Sequence, residues 1–132
     1  MRYPDWPERL NIYVVKVQKE EFQLGEFDCA LFAAGCIEAI TGEDVMPEYR
    51  DTYNSWESSE EACLDIHHTA SLYKVLLKKF GSPLPGVRGR VGDLAFYDGC
   101  CGIVFGRYAL FLSEGGYAHI RITHVQRIFR ID

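Results

Sequence analysis

The chain has 132 residues, 48% of them apolar and 25% charged, with a formal net charge of -5. That is enough for one folded domain, residues 1–132, that buries roughly two thirds of the surface its unfolded chain exposes. It excludes a disordered or fibrous chain, and the scattered Lys and Arg residues argue against a phosphate-tracking nucleic-acid surface.

The first half, residues 1–81, reads as mainly helical. Trp6 to Gln18 places Leu10, Val14, Val15 and Val17 on an amphipathic pattern, with Pro7 tolerated in the opening turn. Asp28 to Ile40 predicts a second helix. Cys29, Phe32, Ala33, Cys36, Ile37 and Ile40 repeat at the spacing of one buried face, and Thr41-Gly42 stops the helix. Glu43 to Trp56 reads as an irregular connection with aromatic anchors at Tyr49, Tyr53 and Trp56. Ser58-Ser59-Glu60-Glu61 then opens a helical stretch to about Phe80, expected as two helices meeting near His67-His68-Thr69 and ended by Gly81-Ser82-Pro83.

The period changes over residues 90–132. Asp93 to Tyr97, Gly102 to Phe105, Tyr108 to Leu112, Tyr117 to Ile122 and Val125 to Ile131 are short β-rich runs separated by tight turn signals. Connections this short imply antiparallel hairpins. The expected class is α+β, with N-terminal helices packed on a C-terminal curled antiparallel sheet.

Five cysteines, Cys29, Cys36, Cys63, Cys100 and Cys101, form no disulfide framework and no Cys-x-x-Cys pair, which suits a reducing compartment and disfavours a structural zinc site. Adjacent His67 and His68 point about 100° apart on a helix, so neither a metal nor a cofactor is expected. No apolar run approaches the ~20 residues that span a bilayer, and the first residues lack a signal-peptide core. The expectation is a chain synthesised in a cytoplasm, without membrane insertion.

The segment that offers chemistry is Asp28-Cys29. Asp28 is a good N-cap, so Cys29 falls in the first helical turn, where free backbone N–H groups and the helix dipole favour a thiolate. A cysteine nucleophile needs a base to take and return the proton. Of the four histidines, His119 is the best candidate. It shares a strand face with Tyr117 and Arg121, opposite Ala118, Ile120 and Ile122. His124 sits in a turn, and His67 and His68 lie among helices.

Phe22-Gln23-Leu24-Gly25-Glu26-Phe27-Asp28-Cys29-Ala30-Leu31-Phe32 resembles a motif of the papain-like cysteine peptidases of the NlpC type, with Leu24 for Trp and Ala30 for Ser. Gly92-Asp93-Leu94 followed by Cys100-Cys101-Gly102-Ile103 is similar to their two following strands. Cys100 then stands where the histidine would be, and the residue that orients the histidine falls near Leu112. Trp6-Pro7-Glu8-Arg9-Leu10, Gly25-x-x-Asp28-Cys29, Thr41-Gly42-Glu43-Asp44 and Arg50-x-x-Tyr53 more closely resemble small phage-encoded proteins related to that type.

The resemblance implies a papain-like NlpC-type fold and a phage tail-associated protein, at the tail tip, baseplate hub or in assembly, with its peptidase chemistry degenerate. It implies other tail-tip or baseplate proteins as partners and the virion as location. Protein-facing surfaces are expected at Tyr49, Tyr53, Trp56 and Phe111. The alternatives are an active cysteine hydrolase of peptidoglycan with Cys29 as nucleophile and His119 as base, and a nonenzymatic module that binds the cell wall. Asp93 is expected to be structural, bonding loop N–H groups.

Overall fold

A computed structural model describes residues 1–68 and 71–132; of the expected helix junction near His67-His68-Thr69, Thr69 falls outside the described residues, while one helix ends at His67 and the next begins at Leu72. The class is α+β. Four helices, α1 (Trp6–Val17), α2 (Cys29–Thr41), α3 (Trp56–His67) and α4 (Leu72–Phe80), precede a six-stranded antiparallel sheet. Its strands are β1 (Leu84–Pro85), β2 (Leu94–Tyr97), β3 (Cys100–Phe105), β4 (Tyr108–Ser113), β5 (Gly116–Arg121) and β6 (Arg127–Phe129), in the order β1-β6-β2-β3-β4-β5.

Helix α2 is the central element. The expectation of one buried face is too narrow: Ala30, Leu31, Ala34 and Gly35 are buried as well as the stripe residues, so residues 29–37 are enclosed on all sides and the helix meets solvent only in its last turn, at Glu38. Small residues make this possible, because Ala33, Ala34 and Gly35 let neighbours approach; a Cβ on Gly35 would lie 1.9 Å from the Tyr13 hydroxyl of α1. On α1 itself, Leu10, Val14 and Val17 are buried, but Val15 is 65% exposed. Its neighbour Val14 already fills the inward position, and consecutive helical residues point about 100° apart.

Helix α3 starts earlier than its acidic Ser58-Ser59-Glu60-Glu61 signal suggests. Ser55 is the N-cap and its Oγ accepts from the Ser58 N–H at 3.0 Å, while Ser58 Oγ accepts from the Ser55 N–H at 3.0 Å. That reciprocal capping box draws Trp56 into the first turn.

The strands alternate between two cores. Leu94, Cys101, Ile103, Leu110, Leu112 and Phe129 face the helices, whereas Ala95, Val104, Ala109, Phe111 and Ile128 pack with Val125 on the other face. Burial on both faces explains runs such as Ala109–Leu112 that are apolar throughout. Asp98 and Gly99, both at positive φ, form the tight β2–β3 turn, so β3 begins at Cys100 and not at Gly102. Strand β6 is shorter than expected, and β1 carries too brief a signal to read from sequence.

Candidate functional site: a cleft around Cys29 and Cys100

Two motif segments converge under the head of α2. Asp28 is buried at 2% exposure and its carboxylate is fully engaged: Oδ1 accepts from the Leu31 N–H at 3.0 Å, and Oδ2 accepts from the Gly25 N–H at 3.0 Å and from the Tyr53 hydroxyl in a short bond. Gly25 must be glycine, since it sits at φ +83° and a Cβ there would come within 1.9 Å of the Tyr53 carbonyl oxygen. Its own carbonyl accepts from the Asp51 N–H at 2.7 Å. Arg50 pairs with Asp44 at 2.8 Å, which ties the Thr41–Asp44 motif to the Arg50–Tyr53 motif. The sequence motifs between residues 25 and 53 are therefore one support that fixes where Cys29 begins its helix.

Cys29 is 7% exposed and faces Cys100, which opens β3 and is half-buried. Both side chains line the same two pockets. Interaction with Cys100, with burial next in weight, pushes the Cys29 thiol well above its ordinary pKa, whereas interaction with Cys29 brings Cys100 down to about 7. Thiolate formation, expected at Cys29 from its helix position, is therefore favoured at Cys100 instead. A charge costs less on the more solvated sulfur than on the buried one.

Two pockets meet at this pair. One, of about 120 Å³, is lined by Leu24, Ala30, Tyr49, Tyr53 and Cys63 in addition to the two cysteines. The other, of about 300 Å³, runs past Phe22, Leu112 and the Ser113–Gly115 turn. Trp56 lines both, and its indole Nε1–H donates to Glu114 Oε1 at 3.0 Å, linking α3 to the β4–β5 turn. Leu112 thus faces the same cleft as Cys29 and Cys100.

The other residues singled out from sequence lie elsewhere. His119 is exposed on β5 and lines a separate pocket with Val14, Gln18 and Leu110, edge-on to the Tyr108 ring at 6.4 Å. The structure does not bring it to the pockets that Cys29 lines. His124 is exposed in a turn and His68 is exposed at the end of α3. His67 packs against the Tyr49 ring at 5.7 Å, with Nε2 3.6 Å from Glu48, and burial lowers its pKa. Among the described residues, no histidine lines the Cys29 cleft and no three His, Cys, Asp or Glu side chains converge to hold a metal ion.

Tyr49, Tyr53 and Phe111, expected as protein-facing aromatics, are 3%, 9% and 5% exposed and belong to the two cores. Trp56 alone of the four is open, at 52%. The tyrosine hydroxyls explain the change: Tyr49 Oη lies 3.5 Å from Cys63 Sγ, and that of Tyr53 binds Asp28, so both phenols are held neutral by burial and these contacts.

A family model matches residues 1–131. The chain belongs to the family described as Domain of unknown function (DUF6950). No curated protein and no solved structure matches it. The Tyr53–Asp28 bond and the Trp56–Glu114 link span 25 and 58 residues, so no local pattern announces either; only the Arg50-x-x-Tyr53 spacing points toward the first.

Proposed function

We propose that this protein is a phage tail-associated component, acting at the tail tip, baseplate hub or in its assembly, built on a catalytically degenerate papain-like fold of the NlpC type. One observation carries the reading. The positions at which the sequence departs from the active peptidase pattern, Leu24, Ala30, Cys100 and Leu112, all line the cleft around Cys29. The residues that hold the head of α2, Gly25, Asp28 and Tyr53, keep their mutual bonds. A scaffold whose support is intact and whose cleft carries apolar or thiol side chains at these four positions suits a protein that holds partners rather than one that hydrolyses amides.

Hydrolysis by this route requires Cys29 to deliver a thiolate to a carbonyl and a base to carry its proton to the leaving amine. Its neighbour Cys100 and burial both favour the protonated form of Cys29, and among the described residues no imidazole lines the cleft to relieve it. The protein's partners would be neighbouring tail-tip or baseplate proteins, with the virion as its final location.

Two measurements test this. Incubation with peptidoglycan is expected to release no muropeptide from wild type or from Cys29→Ala, and co-expression with the neighbouring tail proteins is expected to yield a complex that survives gel filtration. Release by wild type that Cys29→Ala abolishes would reinstate the hydrolase. A monomer that binds no tail protein but pellets with sacculi would make it a wall-binding module instead.

A further inference from the structure

Three of the five cysteines are structural by position. Cys36, Cys63 and Cys101 are 0–5% exposed and pack within the helix-side core. Cys29 and Cys100 differ from them: they come from distant elements, the head of α2 and the start of β3, and both open onto the same two pockets. Cys100 is half-buried, so a small molecule entering beside Trp56 and Glu114 meets its sulfur before that of Cys29. Cys29, at 7% exposure, lines the same pockets from the start of α2. The two groups are ordered, one reachable and one resolving, as a dithiol oxidation requires.

We propose that Cys29 and Cys100 form a reversible disulfide driven by a peroxide, with Cys100 as the sulfur that takes the oxidant and Cys29 as the sulfur that resolves it. In the first step the Cys100 sulfur attacks the peroxide. An S–O bond forms, the O–O bond breaks, and water or an alcohol leaves after taking up a proton, so Cys100 becomes a sulfenic acid. In the second step the Cys29 sulfur attacks that of Cys100. The S–S bond forms, the S–O bond breaks, and water leaves with the proton that Cys29 held. Two thiols together give up two electrons to one peroxide, and an external dithiol reverses the change by exchange.

The flanking contacts favour this pair over the alternatives. Cys101 adjoins Cys100, but its side chain is fully buried on the helix side of the sheet, and a bond between neighbours in a strand strains the backbone. Cys63 is engaged by the Tyr49 hydroxyl at 3.5 Å. Neither step depends on whether the protein serves in a phage tail.

The full-length wild-type chain, reduced and then treated with hydrogen peroxide at neutral pH, provides the test. Two of the five thiols are expected to be lost, and peptide mapping under non-reducing conditions, with fragmentation that assigns the bonded sulfurs, is expected to join Cys29 to Cys100 until dithiothreitol is added. In Cys29→Ala the resolving sulfur is gone, so dimedone should capture a sulfenic acid on Cys100. The alkylation midpoint of Cys100 should also rise from about 7 toward the ordinary thiol value near ~8.5, slowing its reaction at neutral pH on the order of tenfold. Five intact thiols at a peroxide dose that oxidises free cysteine would overturn the proposal. So would bonding of Cys100 to Cys101, or of Cys29 to Cys63, in the wild-type chain. The deciding readouts come from the wild type, so they hold even where a variant fails to fold.

Discussion

Tyr53 stands 25 residues from Asp28 and gives the cleft its floor. Its hydroxyl is the third donor to a carboxylate that is otherwise satisfied by the Gly25 and Leu31 amides, and the backbone around it presses on a glycine at positive φ. Truncating the hydroxyl in Tyr53→Phe keeps the ring in the core and removes one charge-assisted bond from a buried acceptor. The expected loss is about 2 kcal/mol of unfolding free energy, the usual worth of a bond to a charged group, read as a lower urea midpoint at unchanged slope. An unchanged midpoint would show that Asp28 is held by its two backbone amides alone. Asp28 as N-cap is legible in the sequence because the bond runs to a residue three places on, a local event that any Asp before a helix offers. The pairing with Tyr53 is not, since nothing in a hydroxyl or a carboxylate specifies a partner so far along the chain. The same holds for Cys100: the sequence marks it as a substitution, whereas its place in the same cleft as Cys29 depends on how β3 meets α2.

Among the elements, α3 is the one whose stability rests most on its cap. It buries only Cys63 fully and leaves Trp56, Leu64 and Ile66 at 52%, 52% and 42% exposure, so packing gives it little. Ser55→Ala removes the acceptor for the Ser58 amide and the bond from Ser55 Oγ to Ser58 Oγ, while the Ser55 N–H still donates to Ser58 Oγ. About 1 kcal/mol is expected from a lost N-cap. Fraying of the first turn would free Trp56 from Glu114, so the variant should show a shifted tryptophan emission and faster amide exchange over residues 55–59; an unaltered exchange pattern would mean that the Trp56–Glu114 bond alone anchors the turn. Sequence alone does not locate the start of this helix because Ser55 and Ser58 are both good caps, and only the reciprocal bonding between them decides which one acts. The strands are easier to read. Leu94, Phe96 and Ile103 alternate with Ala95 and Val104 at period two, and Asp98-Gly99 fixes the register between them. Val15 is ambiguous for the opposite reason: in a helix an apolar residue beside a buried one satisfies the pattern at either position, and the packing of α1 on α2 selects Val14.

At the scale of the whole molecule, the two ends of the chain close on a single buried carboxylate. Asp93 has 0% exposure. Its Oδ2 accepts from the Arg90 N–H at 2.9 Å and faces Arg130 at 3.4 Å, while Oδ1 accepts from the Ile131 N–H at 3.1 Å and faces Arg2 at 3.5 Å. Arg2 in turn donates to the carbonyls of Val91 and Ile131, both at 2.9 Å, and lies over the Trp6 ring at 4.3 Å. The Gly92-Asp93 motif, the Trp6 motif and the C-terminal segment are therefore one junction. It also carries the sheet order that no local reading could supply: β6 is inserted between β1 and β2, so the last strand reaches the sheet only after the chain has returned from β5. Removing the carboxylate in Asp93→Ala leaves two backbone amides without their acceptor and two guanidinium groups without their partner. The cost expected for breaking a buried, hydrogen-bonded ion pair from one side is about 3–5 kcal/mol. That is a large part of the marginal stability of about 5–15 kcal/mol typical of such a domain. Arg2→Ala should cost less, because Asp93 keeps Arg130 and both amides. If the junction acts as a unit, the double variant will lose less than the two single losses added together, which denaturant titration of all four proteins measures. Strict additivity would mean that Arg2 is held by its carbonyl contacts and the Trp6 ring, and that Asp93 secures the C-terminal segment independently of the N-terminal one.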